Sequence, residues 1–402
     1  MLPFIVVFAI TMYQGFIPFS RLCSPTPAGV GELAASRGTR SSLRPGFYLQ
    51  QLYTIRASES GFSLKRIYLV TGAAGFLGSH IVSRLLEKGE RVRALILPGD
   101  PAGKYLPEGL EIILGDVTHE GDLDRFFSLE AGQEAVVLHC AGIISMSMRP
   151  LPQVHRVNVE GTLAVARRCL NPQVKKMMYV ASVHAITEEA EGRVMAEPER
   201  TDPDAVRGYY AKTKAEACAA LMKMRDEEGL KLNILYPAGM SGPGDYALGN
   251  FTQLFIDYSA GLIPAAVKGG YNFVDVRDVA EAIITLGGRD LAGQDYVLAG
   301  EYHSVVEILN DFAQITGRKP VKLMAPLWLA RLALPFLSLY YKAKKRKPVF
   351  SRYSLFTINS NSNFSSKKAC DGLGFAPRSF RQTLKDTMAW LGQQGMLRNR
   401  TV

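Results

Sequence analysis

Residues 65–89 read KRIYLVTGAAGFLGSHIVSRLLEKG, and the way this stretch is punctuated decides the fold. Ile67 to Val70 are four consecutive apolar residues, the pattern of a short buried strand. Thr71-Gly72-Ala73-Ala74-Gly75-Phe76-Leu77-Gly78 follows, and the spacing predicts a helix from about Ser79. Glycines at these positions let the chain turn sharply, bring backbone N–H groups against a pyrophosphate and pack helix on strand, while the helix dipole favours the anion. The spacing is GxxGxxG rather than GxGxxG, so its force comes from its place between strand and helix.

Outward from this unit the same alternation continues. RVRALIL (91–97), EIILGD (111–116), EAVVLHCAG (134–142), KMMYVAS (176–182) and LNILYP (232–237) are compact apolar runs separated by helical stretches. Such runs argue βαβ units and a parallel sheet covered on both faces. The expected fold is α/β, a doubly wound (Rossmann) sheet over 65–300. A smaller C-terminal substrate lobe is expected over 301–402, joined by loop insertions near 185–207 and 240–270.

Charge location excludes a nucleic-acid platform. The whole chain has a formal charge of +10, yet residues 65–341 carry 29 basic and 33 acidic side chains, so the excess sits in the ends. Five scattered cysteines, Cys23, Cys140, Cys169, Cys218 and Cys370, show no CxxC spacing, so neither a metal site nor a disulfide framework is expected and a reducing, cytoplasmic compartment fits. Residues 1–20 are strongly apolar but have no Lys or Arg ahead of the run, a poor secretory signal. Two readings stay open for residues 1–64: a membrane anchor followed by a linker, with Arg21, Arg37, Arg40 and Arg44 on the cytoplasmic side, or a mis-set translation start.

The second strand should end in an acid that reads the adenosine ribose, but Ile96 and Leu97 stand there. NAD and NADP both remain open; Arg93, Asp100 and Lys104 are the nearby polar candidates. Asp116, after the third strand, could accept from adenine or cap a helix. Tyr210 and Lys214, in YYAKTKAEA, are four apart and share a helical face. An ammonium beside a phenol lowers the phenol's pKa toward neutrality, as a proton donor to a carbonyl oxygen requires. Ser182 follows the strand KMMYVA, at the end that faces the ligand crevice, where its hydroxyl would hydrogen-bond a substrate oxygen or simply form a loop.

Taken together, TGAAGFLG, LHCAG with Gly142, NVEGT with Asn158, Ser182, Tyr210-xxx-Lys214 and FVDVRDVAEAI resemble the extended short-chain dehydrogenases, from about Lys65 to Leu391. Within that family the chain looks most like the 3β-hydroxysteroid dehydrogenase and dihydroflavonol reductase branch. The resemblance implies a catalytic Ser182, Tyr210 and Lys214, with Lys214 also holding the nicotinamide ribose and Asn158 shaping the supporting helix. It implies NAD or NADP as cofactor, with contacts at Gly72, Gly75, Phe76, Leu77, Gly78, Asp116, Tyr210, Lys214 and Pro237. Pairing of two copies through the helices after Asn158 and Tyr210 would be typical of the family. The segment LYPAGMSGPGD departs from many members: Tyr236 stands where they carry Arg before Pro237, and the asparagine often used by sugar-nucleotide epimerases is missing. An apolar alcohol or ketone is therefore the leading substrate expectation. A sugar-nucleotide epimerase or dehydratase is the first alternative, and a non-catalytic cofactor-binding scaffold the second.

One further stretch, MAPLWLARLALPFLSLYYKAKKRKPVF, is apolar from Leu327 to Tyr341, 15 residues where a bilayer span needs about 20. Lys342, Lys344, Lys345, Arg346 and Lys347 follow at once. An apolar face joined to a polybasic cluster predicts interfacial membrane contact over 327–347; the alternative is a hydrophobic lid over the substrate pocket. Hydroxysteroid dehydrogenases, which this region resembles, use a comparable segment near the membrane.

Overall fold

The computed structural model describes residues 65–263, 265–343 and 351–397. The expectations for residues 1–64 and for Lys344 to Lys347 lie outside the described residues. Seven strands form the main sheet: β1 (Lys65–Thr71), β2 (Val92–Ile96), β3 (Glu111–Leu114), β4 (Gln133–His139), β5 (Val174–Val180), β6 (Leu232–Pro237) and β10 (Tyr296–Leu298). Their order is 3-2-1-4-5-6-10, every neighbouring pair parallel, which is the doubly wound arrangement expected. Ile67 to Val70 and Val136 to Leu138 are buried because helices cover both faces of the central strands, so no polar alternation survives there.

The helices of this layer are α1 (Phe76–Glu87), α2 (Glu120–Phe126), α3 (Pro152–His155), α4 (Thr162–Arg168), α5 (Tyr209–Glu228), α6 (Asn250–Ser259) and α7 (Val276–Gly288). The first begins at Phe76, three residues earlier than the spacing predicts, because Gly75 already caps it in extended conformation. A π-helical turn, Arg156–Gly161, joins α3 to α4.

The segment 240–270 is more than a loop insertion. It contributes β7 (Gly239–Ser241), α6 and β8 (Ala266–Val267), and leads into β9 (Gly270–Asp275). Beyond these come β11 (Glu301–Ser304), α8 (Val305–Thr316), β12 (Met324–Ala325), α9 (Leu327–Ala343), α10 (Arg352–Thr357), α11 (Lys367–Leu373) and α12 (Phe380–Gln393). A second apolar core gathers Phe255, Phe273, Ile308, Phe312, Leu384 and Trp390, with β9 pairing both β7 and β11 beside it. Ala369, Leu373 and Phe375 join the main sheet's core instead. The lobe is thus assembled from segments on both sides of β10 in the chain.

Candidate active site

The glycine turn divides its labour. A Cβ on Gly72 would meet the Ala141 backbone N at 2.7 Å, and one on Gly78 would overlap the Gly72 carbonyl, so both are required by packing. Gly75 differs: a Cβ there meets only Gly72 O, at 3.1 Å. It precedes an α1 N-terminus with no side-chain cap and no acid in its first turn, leaving backbone N–H groups of Phe76, Leu77 and Gly78 directed at an anion site. This cradle fits a dinucleotide pyrophosphate.

Around it, the polar candidates separate. Arg93 Nε donates to Glu111 at 2.8 Å, and its Nη1 donates to the Phe126 and Ser128 carbonyls, so it is a structural tie and not a phosphate reader. Leu97, just beyond β2, is 52% exposed. Asp100 Oδ1 accepts from Ala102 N, and Lys104 Nζ lies 4.8 Å from the Tyr105 ring centre. Asp116 Oδ1 accepts from Thr118 N and Oγ1 at 2.8 and 2.9 Å, closing the turn ahead of α2, whose own cap position is His119. Pro237 ends β6 next to Ala238, whose N–H donates to Leu298 O.

Ser182, Tyr210 and Lys214 come together at the end of β5. Ser182 Oγ accepts from His184 N at 3.2 Å and lies close to the Tyr210 phenol. Tyr210 and Lys214 share the inner face of α5, both buried. Lys214 Nζ donates to Val180 O at 2.8 Å and sits 4.7 Å from the Tyr179 ring centre. Burial pushes Tyr210 up to about 12, with the Ser182 hydroxyl opposing it, and burial pushes Lys214 down to about 8. The expectation that Lys214 draws the phenol toward neutrality is corrected here. Desolvation dominates both groups, and the ammonium is turned to a backbone carbonyl.

The support is built from polar groups satisfied inside the fold. Asn158, within the π-helical turn, accepts from Ile143 N at 2.7 Å and donates to Ile143 O and Thr213 Oγ1. A Cβ on Gly142 would come within 3.4 Å of both Asn158 Oδ1 and Lys214 Nζ. His139, which the sequence reading passed over, lies 2.7 Å from Thr71 Oγ1 and 2.9 Å from Thr162 Oγ1. Thr162 donates its own proton to Asn158 O, so Nε2 of His139 carries the hydrogen and Nδ1 accepts from Thr71. Burial holds this imidazole neutral, down to about 3. His184 and Tyr353 were also missed; their rings stand 6.1 Å apart, and His184 is 6.5 Å from the Tyr210 ring. Nothing in the local pattern around Tyr353 marks it.

The 327–341 segment is the helix α9, with Leu327 and Ala330 packed on the second core. Trp328, Leu332, Phe336 and Leu339 are 55%, 58%, 68% and 68% exposed, so it is not a lid buried on all sides. No helix among the described residues is long and apolar enough to cross a membrane, and no group of three or more His, Cys, Asp or Glu among them could hold a metal ion.

Comparison with known proteins agrees with the fold. Sterol demethylase protein B of Methylococcus capsulatus is 28% identical over 337 residues, covering 82% of this chain and 99% of that protein. Human 3 beta-hydroxysteroid dehydrogenase type 7 is 26% identical over 370 residues, covering 83% and 98%. A UDP-glucose 4-epimerase of Thermus thermophilus, solved in complex with NAD, shares the fold with a TM-score of 0.61 at 23% identity, over 81% of this chain and 99% of that one. The model of the NAD dependent epimerase/dehydratase family matches residues 68–299, the glycine turn, the Ser182 and Tyr210 region and β10 included. The chain belongs to that family and is an enzyme whose redox chemistry runs on a nicotinamide dinucleotide.

Proposed function

We propose that the protein interconverts a secondary alcohol and a ketone on an apolar, steroid- or flavonoid-like substrate, with Ser182, Tyr210 and Lys214 as the reacting centre. The observation that carries this reading is the convergence of the three side chains at the end of β5, in a sheet whose first helix leaves its N-terminus open to an anion. Bound NAD(P) supplies or accepts the hydride. Gly75 and the N–H groups of Phe76, Leu77 and Gly78 would hold its pyrophosphate, with Asp116 and Pro237 as further contacts. Lys214 gives one N–H to Val180 O and keeps two for the ribose hydroxyls.

In ketone reduction Tyr210 Oη donates its proton to the oxygen as negative charge develops there; in alcohol oxidation it takes that proton back. Ser182 Oγ donates a hydrogen bond to the same oxygen. A phenol held near 12 is protonated at neutral pH and so is ready to donate. Lys214, near 8, is still mainly ammonium at pH 7. Fluorescence titration with NADH and NADPH, then a panel of steroids, flavonoids and sugar nucleotides on the tighter cofactor, tests the reading. Absence of turnover on every alcohol and ketone would defeat it.

The shared fold with a UDP-glucose epimerase supports a second reading, a sugar-nucleotide epimerase or dehydratase. Against it, Tyr236 is wholly buried in β6 and offers no charge to a nucleotide's phosphates. Saturable binding of UDP- or dTDP-sugars with epimer formation would favour this second reading.

The same proposal covers location and assembly. The exposed face of α9 recurs every three or four residues and lies in a stretch, Phe312 to Cys370, with twelve Lys or Arg and no Asp or Glu. Beside it, Arg331 and Arg352 line a cavity of about 300 Å³ with Leu334, Leu355 and Phe356, and neither has an ion-pair partner among the described residues. An apolar stripe edged by unpaired guanidinium groups suits the surface of an anionic membrane, touched and not crossed. Homodimerisation through α4 and α5 is the final element, and sedimentation equilibrium measures it.

A further inference from the structure

Tyr353 is a buried group beside the reacting centre that the proposed chemistry leaves unused. It comes from α10, is 3% exposed, and its phenolic oxygen has no hydrogen-bond partner among the described residues. Tyr179 and Tyr236 also lack a well-formed hydrogen bond, but each has a polar neighbour, the Thr162 hydroxyl and the Cys218 thiol. Tyr353 differs in having no such polar neighbour to oppose its burial; the phenols of Tyr210 and Tyr271 near it raise its pKa further.

Its location is set by close packing on the helix that carries Tyr210. The ring lies against Gly208, where a Cβ would overlap the ring edge, and Gly208 at φ +93° is the residue from which α5 starts. His184, two residues after Ser182, has both the Tyr210 and the Tyr353 ring near it. Ser182, Tyr210, His184 and Tyr353 therefore wall one small region.

None of this placement needs the Tyr353 hydroxyl. Reciprocal Ser351 and Ser354 hydrogen bonds cap α10, Tyr271 Oη donates to Ser354 O at 3.3 Å, and the Arg207 guanidinium covers the Phe356 ring at 5.2 Å. A phenylalanine would fill the same volume without burying an unpaired polar atom, so packing alone favours Phe at this position. An unpaired buried hydroxyl beside a reacting centre is the kind of local cost that function explains.

We propose that Tyr353 is a substrate-positioning residue, whose phenol donates a hydrogen bond to an oxygen of the substrate at or next to the reacting carbon. This rests on the Ser182–Tyr210–Lys214 reading. Burial keeps the Tyr353 phenol protonated, so it acts as a donor and selects an acceptor, a carbonyl, ether or hydroxyl oxygen. A substrate of the proposed apolar class would thus be oriented at two points, by Ser182 with Tyr210 and by Tyr353.

Tyr353→Phe and Tyr210→Phe, made in the full chain, test this with two readouts. Thermal unfolding without substrate should find Tyr353→Phe as stable as the parent or more stable, because the lost hydroxyl had no partner. Kinetics with a substrate from the panel above should find kcat/KM reduced roughly tenfold or more, with NADH or NADPH affinity unchanged. A melting temperature lowered by several degrees would assign the hydroxyl a structural bond and overturn the proposal; so would unchanged kcat and KM. Tyr210→Phe separates the two levels. If it is inactive while Tyr353→Phe matches the parent, only this inference fails; if Tyr210→Phe turns over normally, the underlying reading fails and this one with it.

Discussion

The crevice at the end of the main sheet and the face made by α9 and α10 handle their polar groups in opposite ways. In the crevice the groups that support the site find their partners within the chain, His139 between two threonines, Asn158 on Ile143 and Thr213, Lys214 on Val180 O, and the Tyr353 phenol stands out as the exception. Across α9 and α10, guanidinium groups stand without carboxylates among the described residues, and large apolar side chains stand in solvent. Satisfied networks hold atoms still, as proton and hydride transfer require. Unsatisfied charge and exposed apolar area direct their chemistry outward, toward something that is not part of the chain. The first region should therefore respond to protonation and single-atom changes, and the second to salt and surface charge.

The largest expected effect falls in the crevice. Tyr210→Phe should lower turnover by about 10²–10⁴-fold while leaving cofactor affinity nearly intact, since the phenol acts on the transition state. Normal turnover by this variant would erase the contrast between the regions.

Acid should also distinguish them. Burial lowers His139 to about 3 and His184 to about 4, from an ordinary 6.5. Their folded pKa values lie below the unfolded ones, so their contribution is complete above about pH 6.5 and is lost as pH falls toward the folded values. Each can remove at most about 1.4 kcal/mol per pH unit, and His184, which keeps some surface exposure, should remove less. Urea unfolding at pH 7 and pH 5 measures this, and equal stability at both would contradict the buried, neutral assignment.

Gly75→Val comes next. Gly75 has φ −71°, so valine strains no backbone, yet its side chain would stand where a pyrophosphate must approach. We expect NADH and NADPH affinity at least roughly tenfold weaker, about 1.4 kcal/mol, by fluorescence titration. Wild-type affinity in the folded variant would move the cofactor elsewhere.

The smallest effect sharpens the other region. In a protein beginning at Leu64, Arg331→Gln and Arg352→Gln should each weaken sedimentation with acidic vesicles by about 1 kcal/mol at low salt and by less at high salt. Replacing Trp328 and Phe336 with Ser should remove the salt-resistant part. If the parent never sediments with acidic vesicles, α9 faces something other than a membrane.

Much of the crevice was legible in the sequence because its signals are short-range. A parallel strand covered on both faces must be a continuous apolar run, so β1, β2, β4, β5 and β6 are visible one at a time, and the exposed edge strand β3 shows through its Ile112-Ile113-Leu114 run. Glycine at 72, 75 and 78 reflects contacts within a single turn and its neighbouring strand, and Tyr210 with Lys214 needs only the helical repeat. The same short range explains the errors. Helical spacing alone puts an ammonium beside the Tyr210 phenol, but burial sets that phenol's environment.

Tertiary structure alone decided the rest. That segment 240–270 completes a second core with α8 and α12, that α9 packs Leu327 on that core and leaves Trp328 in solvent, and that Tyr353 rests on Gly208 all depend on segments distant in the chain. Local sequence carries the period of an element and the steric needs of its turns. Which face is covered, which hydroxyl is left without a partner and which charge is desolvated are properties of the contact between elements. They become definite only when those elements pack.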